Sequence, residues 1–401
     1  MNMSKSIFTL SAKMAATAAA ITLVSGALAG CNGHKDKDEP VICPTDNTAK
    51  YISDPDKLEM IYSLKDIDGI GGLYELDYTA DYKLDKIIND YQSVTLEEVT
   101  AFIAKELFDN TGTKGASLNY GSGCSAFAAS TENGDKLMGR NFDYAHPDDI
   151  AAVLVRTAPK NGFKSICMVD AYWLGCKRGF FTDKTTDLSI VMGFPYVLMD
   201  GMNEKGFAIG VLHLDGEATW QDSGKKKVAT TVAMRYLLDN AVDVEDAIAK
   251  LQEFDMRCSD RTNGSYHFFM ADASGKSATV EYIYDGEGSL PNTFEPLRDS
   301  RYVTNFYISP KMANHKYGPE SKHGLDRYNH LRDTLAKYNN VFPSEANAMV
   351  LLSAASQKKN PEKLTSNTQW SIVYNLTDRT AKVCTLRNYE DDKTWSFSVA
   401  K

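Results

Sequence analysis

The chain predicts an α+β fold, in which antiparallel strand pairs are layered with helices inserted between them, and three observations support this. Strand-like runs flank tight-turn sequences at Asn133-Gly134, Asn203-Glu204-Lys205-Gly206, Ser274-Gly275-Lys276 and Thr377-Asp378-Arg379, where Gly, Asn and Asp tolerate the positive φ that short hairpin loops demand. Helical stretches over 230–240, 243–254, 325–338 and 343–354 interrupt the hairpins without strict strand-helix alternation, which argues against a doubly wound parallel sheet. After residue 30 there is no repeat, no low-complexity block and no apolar run long enough to span a bilayer, so one large core is the economical arrangement.

From the start of the chain, Lys5 and Lys13 precede an apolar, alanine-rich run from Ala15 to Ala29, which has the form of a signal peptide over residues 1–30. It ends in Leu28-Ala29-Gly30-Cys31, which resembles a bacterial lipobox. That resemblance implies acylation of Cys31 and a lipid-anchored protein of the bacterial cell envelope, at the outer membrane, with its body in water. Residues 31–50 then serve as a tether, since Asn32 to Pro40 offers few apolar groups to bury. Between 51 and 123 the pattern is mainly helical: Thr95-Leu96-Glu97-Glu98 has capping-box form, and Leu96, Val99, Ile103 and Leu107 recur at helical spacing. At 124 the signals switch to strands, which sets a boundary between a helical N-terminal segment and a catalytic domain over 124–401.

Composition excludes several functions. A net charge of −9 with no Lys/Arg cluster lacks the footprint of a nucleic-acid binder. Seven cysteines without C-x-x-C pairs do not form a zinc ribbon, although Cys167 with Cys176 is close enough in sequence for a bridge in an oxidising compartment. The seven histidines lack H-E-x-x-H spacing, so a metal site has weak support. Oligomeric state is unreadable, and a homo-oligomer stays open.

The most informative stretch is Tyr120-Gly-Ser-Gly-Cys-Ser-Ala-Phe-Ala-Ala129. A two-residue loop at Asn133-Gly134 pairs Glu132 with Asp135, so partners sum to 267 and Cys124 faces Asp143. In that register Arg140 points to the other face and needs a bulge near Gly139 to join them. Cys124 is compatible with a small buried hydrophobe and also with a nucleophile. A nucleophile needs a base, because the thiolate is the reactive form. The α-amino group of Cys124 is one, with a reference pKa of about 7.7 to 8.0, once the bond to Gly123 is cut.

Cys124-Ser125 followed by Gly139-Arg-Asn-Phe-Asp-Tyr144 resembles the N-terminal-nucleophile cysteine amidases of the choloylglycine hydrolase and linear amide C–N hydrolase family, with Arg140 and Asp143 at 16 and 19 residues after the cysteine. Asp200-Gly-Met-Asn-Glu-Lys-Gly206, Gly275-Lys-Ser277, Val303-Thr-Asn305 and Asp326-Arg-Tyr328 are similar to later blocks of that family in chain order. The resemblance implies a four-layer αββα sandwich and hydrolysis of a linear, non-peptide C–N bond in an N-acyl amide (a conjugated bile salt, penicillin V or an N-acyl amine) through a Cys124 thioester. It implies no metal and no organic cofactor. It further implies autocleavage at Gly123-Cys124, Asp143 orienting the freed amine, Arg140 supporting the thiolate, Asn305 donating to the oxyanion and Arg327 as a late catalytic arginine. His213 departs from the pattern: it stands where bile salt hydrolases carry asparagine, and is a substrate-binding or oxyanion candidate that titrates near neutral pH. The long segment before Cys124 is a second departure, closer to the acid ceramidase and acyltransferase branches. Acyl transfer to an amine, or non-catalytic binding of acyl amides, are the alternatives. The aromatics Tyr144, Tyr172, Trp173, Phe180, Phe181 and Phe194 suggest an apolar acyl pocket.

Overall fold

Two β-sheets face each other, and each is covered on its outer side by helices. The computed structural model describes residues 47–110, 122–146, 150–183, 185–258, 264–286, 288–362 and 365–400. The leader 1–30, the lipobox Cys31 and the tether up to residue 46 lie outside the described residues. Among the described residues no helix is long and apolar enough to cross a membrane.

The first sheet has nine strands, in the spatial order Lys65–Asp66, Leu73–Tyr78, Ala152–Thr157, Ser165–Asp170, Leu198–Asn203, Ala208–Leu214, Ser265–Ala271, Ser277–Tyr284 and Pro291–Arg298. The second runs Tyr302–Val303, Ser122–Thr131, Lys136–Tyr144, Asn367–Asn375, Thr380–Thr385 and Thr394–Ser398, with Val341–Phe342 added in parallel to Ser122–Thr131. Ser122–Thr131 packs on Ala208–Leu214 and so joins the two sheets face to face. Thr230–Asn240 covers the first sheet, while Leu325–Lys337 and Glu345–Ala355 cover the second. The layers are therefore α, β, β, α, as the resemblance implied. All four expected helices form within a few residues of their expected bounds, because capping residues and apolar spacing act over a few residues. Thr95 and Glu98 complete the capping box of Leu96–Glu106.

Residues 51–123 hold more than helices. Leu73–Tyr78 pairs in parallel with Ala152–Thr157 and thereby extends the first sheet. Helical spacing elsewhere in the segment concealed this strand, although its burial alternates, with Tyr74, Leu76 and Tyr78 buried, Glu75 half-buried and Asp77 exposed. Tyr78 donates to the Met192 carbonyl (3.0 Å), and Tyr82 donates to Asp239 (2.6 Å), which also binds the buried Arg235. Leu58, Ile61, Leu76, Ile87, Phe102 and Ile103 are buried in the same core as the inter-sheet residues. The tether also ends earlier than residue 50: Thr48 is fully buried, and its hydroxyl accepts from the Leu188 amide (2.9 Å).

The hairpin that carries Cys124 differs from its expected register by one residue. Thr131 and Asp135 close the loop, with the Thr131 amide donating to the Asp135 carbonyl, so the connection has three residues, Glu132, Asn133 and Gly134. Only Gly134 takes positive φ (97°), whereas a two-residue type I′ loop needs it at both central positions. Partners therefore sum to 266: Cys124 pairs with Phe142, Gly123 with Asp143 and Ala126 with Arg140. A one-residue shift exchanges faces along a strand. Cys124, Ala126, Met138 and Phe142 belong to the inter-sheet core, while Phe127, Ala129 and Leu137 pack under the outer helices. No bulge is needed to bring Arg140 to the sulfur.

The cysteines at 124, 167, 176, 258 and 384 are buried, and none of them bridges another. Cys167 and Cys176 are not bridged: Cys167 lies within the strand Ser165–Asp170, and Cys176 lies beyond the turn that follows it.

Phe127 lies across the ladder from Gly139, where an added Cβ would come within 2.4 Å of the ring. Gly139→Ala should therefore overpack this pair and lower unfolding free energy by about 1–3 kcal/mol in urea titrations. Combining it with Phe127→Leu should recover part of the loss, and an unchanged single variant would contradict the packing described.

Candidate active site

The expected site residues converge. Cys124 is the third residue of its strand, and its sulfur lies 3.7 Å from Arg140 Nη2 in the inter-sheet layer. Arg140 is fully buried, and a guanidinium there requires a counter-charge. Asp200 supplies it, since Arg140 Nη1 pairs with Asp200 Oδ2, which also accepts from Trp370 Nε1 (3.1 Å). Tyr374 donates to Asp200 Oδ1 (2.5 Å). Burial is the largest single effect and works against the Arg140 charge, but Asp200 together with the Cys124 sulfur and Tyr374 outweighs it, and the arginine pKa is raised. Phe142 stacks on Trp370 (4.1 Å between ring centroids) and sits under the guanidinium, completing an aromatic wall around the charge.

Asp143 reaches the site from the other face of the sheet. Thr368 donates to its Oδ1 (2.5 Å), Gln357 donates to its Oδ2 (2.8 Å), and Arg327 Nη1 lies 3.4 Å from Oδ2. Arg327 then bridges back to the nucleophile: Nη1 donates to the Cys124 carbonyl and Nη2 to Asn305 Oδ1 (2.8 Å). The Cys124 amide donates to the same Asn305 oxygen (2.7 Å). In this continuous chain, then, the cysteine nitrogen is met by Asn305, and Asp143 acts on it through Arg327. The Asn305 amide group donates to the His213 carbonyl (2.9 Å), so in this arrangement its oxygen, not its NH2, faces the nucleophile. That placement differs from the expected oxyanion donor.

Two opposing effects set the state of the sulfur. Burial pushes the Cys124 thiol up and dominates; Arg140 and the Asp143 backbone N–H pull it down, while the Asp143 carboxylate pushes it further up. The Asp143 carboxyl is itself raised by burial, against the pull of Arg327, Thr368 and Gln357. Burial thus holds the thiol mainly protonated in the continuous chain.

Gly123 has a close-packing reason to be glycine. A Cβ there would fall 2.3 Å from Gln357 Nε2, the atom that holds Asp143, and 3.0 Å from Ser366 Oγ.

The sulfur opens onto an apolar cleft of about 740 Å³, counting the space open to solvent at its mouth. Phe142, Tyr144, Trp173, Tyr196, Met199 and Tyr266 line it, together with His213. Of the six aromatics suggested by sequence, Tyr144 and Trp173 are in this wall. Phe194 is core, Phe180 and Phe181 pack against it, and Tyr172 lies against His146. Leu96 and Val99 also line the cleft, so the segment before Cys124 forms part of its wall. Asp200, Thr368 and Gln357 were not among the expected site residues. Asp200 was signalled by its own block at 200–206, whereas Thr368 and Gln357 had no local signal.

An αββα sandwich with a cysteine on a central strand of one sheet has the fold of the N-terminal-nucleophile hydrolases. Residues 124–288 match the family model for linear amide C–N hydrolases, choloylglycine hydrolase family. A penicillin V acylase of Pectobacterium atrosepticum is 30% identical over 145 residues, which cover 32% of this chain and 38% of that relative. Among solved structures, a conjugated bile acid hydrolase of Clostridium perfringens superposes with a TM-score of 0.50 at 16% identity, covering 69% of this chain and 92% of that one. A penicillin V acylase of Agrobacterium tumefaciens gives 0.45 at 20% identity, over 66% and 83%.

The charge balance predicts the alkylation profile. In uncut chain, the rate of Cys124 carboxamidomethylation should rise with a midpoint above the roughly 8.5 of a free thiol. Asp143→Asn should lower that midpoint by removing a negative charge beside the sulfur. A wild-type midpoint at or below the free value would show that the arginines, not burial, control the thiol.

Proposed function

We propose that this protein is a self-activating cysteine amidase, attached to a bacterial envelope through lipid on Cys31, that hydrolyses the linear C–N bond of an N-acyl amide with an apolar acyl group. The observation that carries this reading is the position of the Cys124 sulfur, 3.7 Å from a buried arginine at the foot of an apolar cleft, with its own nitrogen hydrogen-bonded and ready to become an amine.

In the activation step the Cys124 sulfur attacks the Gly123 carbonyl carbon, its proton passes to the departing Cys124 nitrogen, and the C–N bond breaks to leave a thioester and a free amine. Water hydrolyses the thioester, giving a Gly123 carboxylate and a regenerated thiol. In turnover the amine takes the thiol proton and the thiolate attacks the substrate carbonyl. The protonated amine then gives its proton to the leaving nitrogen, and water releases the acyl group from sulfur. Arg140 stabilises the thiolate, and Asn305 and Arg327 hold the amine and the cysteine carbonyl. Asp143 anchors Arg327, and His213 is the wall group placed to meet the substrate or the oxyanion.

Because Leu96 and Val99 line the cleft and Leu73–Tyr78 is a strand of the first sheet, the segment before Cys124 stays bound after the cut. Removing it would strip a strand edge and expose buried apolar surface.

Mass spectrometry of active protein should find a fragment beginning at Cys124 that co-elutes with the preceding segment under native conditions and separates from it in denaturant. Cys124→Ala should leave one uncut chain without activity on conjugated bile salts, penicillin V and N-acyl amino acids. Turnover by a chain that remains joined at Gly123-Cys124 would falsify the mechanism.

A further inference from the structure

We propose that His213, Asp215 and His323 form a binding site for a divalent transition-metal ion of the zinc class at the mouth of the cleft. His213 is the penultimate residue of the strand Ala208–Leu214, and Asp215 follows two positions on, the spacing that puts two side chains on one face of an extended chain. His323 comes from the turn before Leu325–Lys337. Its Nδ1 lies 3.0 Å from Asp215 Oδ2, and His213 Nδ1 lies 4.0 Å from Asp215 Oδ1. One ligand atom from each of the three lies within 4.8 Å of the others.

Two imidazoles and one carboxylate are the ligand set of zinc sites that keep a fourth position open. Metal–ligand bonds of about 2.0–2.2 Å put tetrahedral ligands roughly 3.3–3.6 Å apart, so the widest spacing must close by up to about 1.2–1.5 Å while the 3.0 Å His323–Asp215 contact opens slightly. The side chains are 17%, 43% and 29% exposed, which leaves room for that rotation and admits water as the fourth ligand. A hydrogen-bonded His–Asp–His tie that holds the turn in place is the competing account of the same geometry. The charge balance favours the ion: among the described residues the ion-pair partners of Asp215 are both histidines, with no lysine or arginine to balance it.

The position gives the ion a consequence. The His213 side chain lines the cleft beside Cys124 and its carbonyl holds Asn305, while His323 lies four residues before Arg327. An ion bridging them would tie the strand end that carries a cleft wall to the helix that positions the nucleophile. It would also engage the imidazole that would otherwise meet the substrate.

The test uses the full chain carrying Cys124→Ala, which removes the thiol as a competing ligand and makes the result independent of amidase activity. Titration with Co2+ should give one equivalent bound, with the visible ligand-field absorption of a four- or five-coordinate site, and Zn2+ should displace it. His323→Ala and Asp215→Asn, each added to that chain, should each weaken binding by at least the 10–100-fold that loss of a mere supporting group costs, about two orders of magnitude at the upper end. Circular dichroism identifies a variant that fails to fold, and the other variant then carries the test. The absence of saturable one-to-one binding, or binding that survives either substitution in a folded variant, overturns the proposal.

Discussion

A guanidinium placed between two β-sheets has no water to solvate it, and the site is organised around how Arg140 is neutralised. Its partner, Asp200, comes from the facing sheet, so the ion pair joins the layers at the point where Cys124 sits. Tyr374 and Trp370 fill the remaining acceptor sites of Asp200, which leaves the second guanidinium nitrogen for the Cys124 sulfur and the Val211 carbonyl. Both terminal nitrogens of Arg140 are hydrogen-bonded while its buried Nε has no hydrogen-bond partner, and the pair costs much to break because loss of either partner strands the other charge. The same pair therefore links the two sheets and pulls the thiol down against the dominant effect of burial.

The register of one hairpin distributes the rest of the machinery. With Cys124 opposite Phe142, the sulfur and Arg140 share the inner face, and Asp143 is left on the face that looks toward the outer helices. Asp143 thus influences the nucleophile across the sheet edge: its charge raises the thiol, and its grip on Arg327 positions the carbonyl and nitrogen of Cys124. A two-residue loop would have exchanged these faces. Because Asn133 is not in the left-handed region, the turn took a third residue, and a local preference of the loop decided which charge meets the sulfur.

The segment ahead of Cys124 is part of the same structure. Its strand extends the first sheet, its tyrosines bond to Met192 and Asp239, and its helix Leu96–Glu106 faces the cleft with Leu96 and Val99. The change in composition at residue 123 marks a change of local pattern, yet the described residues on both sides of it belong to one compact unit. An apolar helix face signals that something will cover it, without naming the partner.

From the residues alone came the hairpins, the helices and their caps, the α+β layering, and the spacing that sets Cys124, Arg140 and Asp143 in one motif. Each is written in turn residues or in a period of two or 3.6, which act over a few positions. The tertiary structure alone decided the face on which each motif residue points, the Asp200 partner 60 residues from Arg140, and the Gln357 and Thr368 clamp on Asp143 at 214 and 225 residues' distance. It also brought His323 to Asp215 across 108 residues, a cluster that no spacing of histidines could reveal. Such contacts follow from how the layers close on one another, and a pattern read along the chain carries no information about what lies opposite.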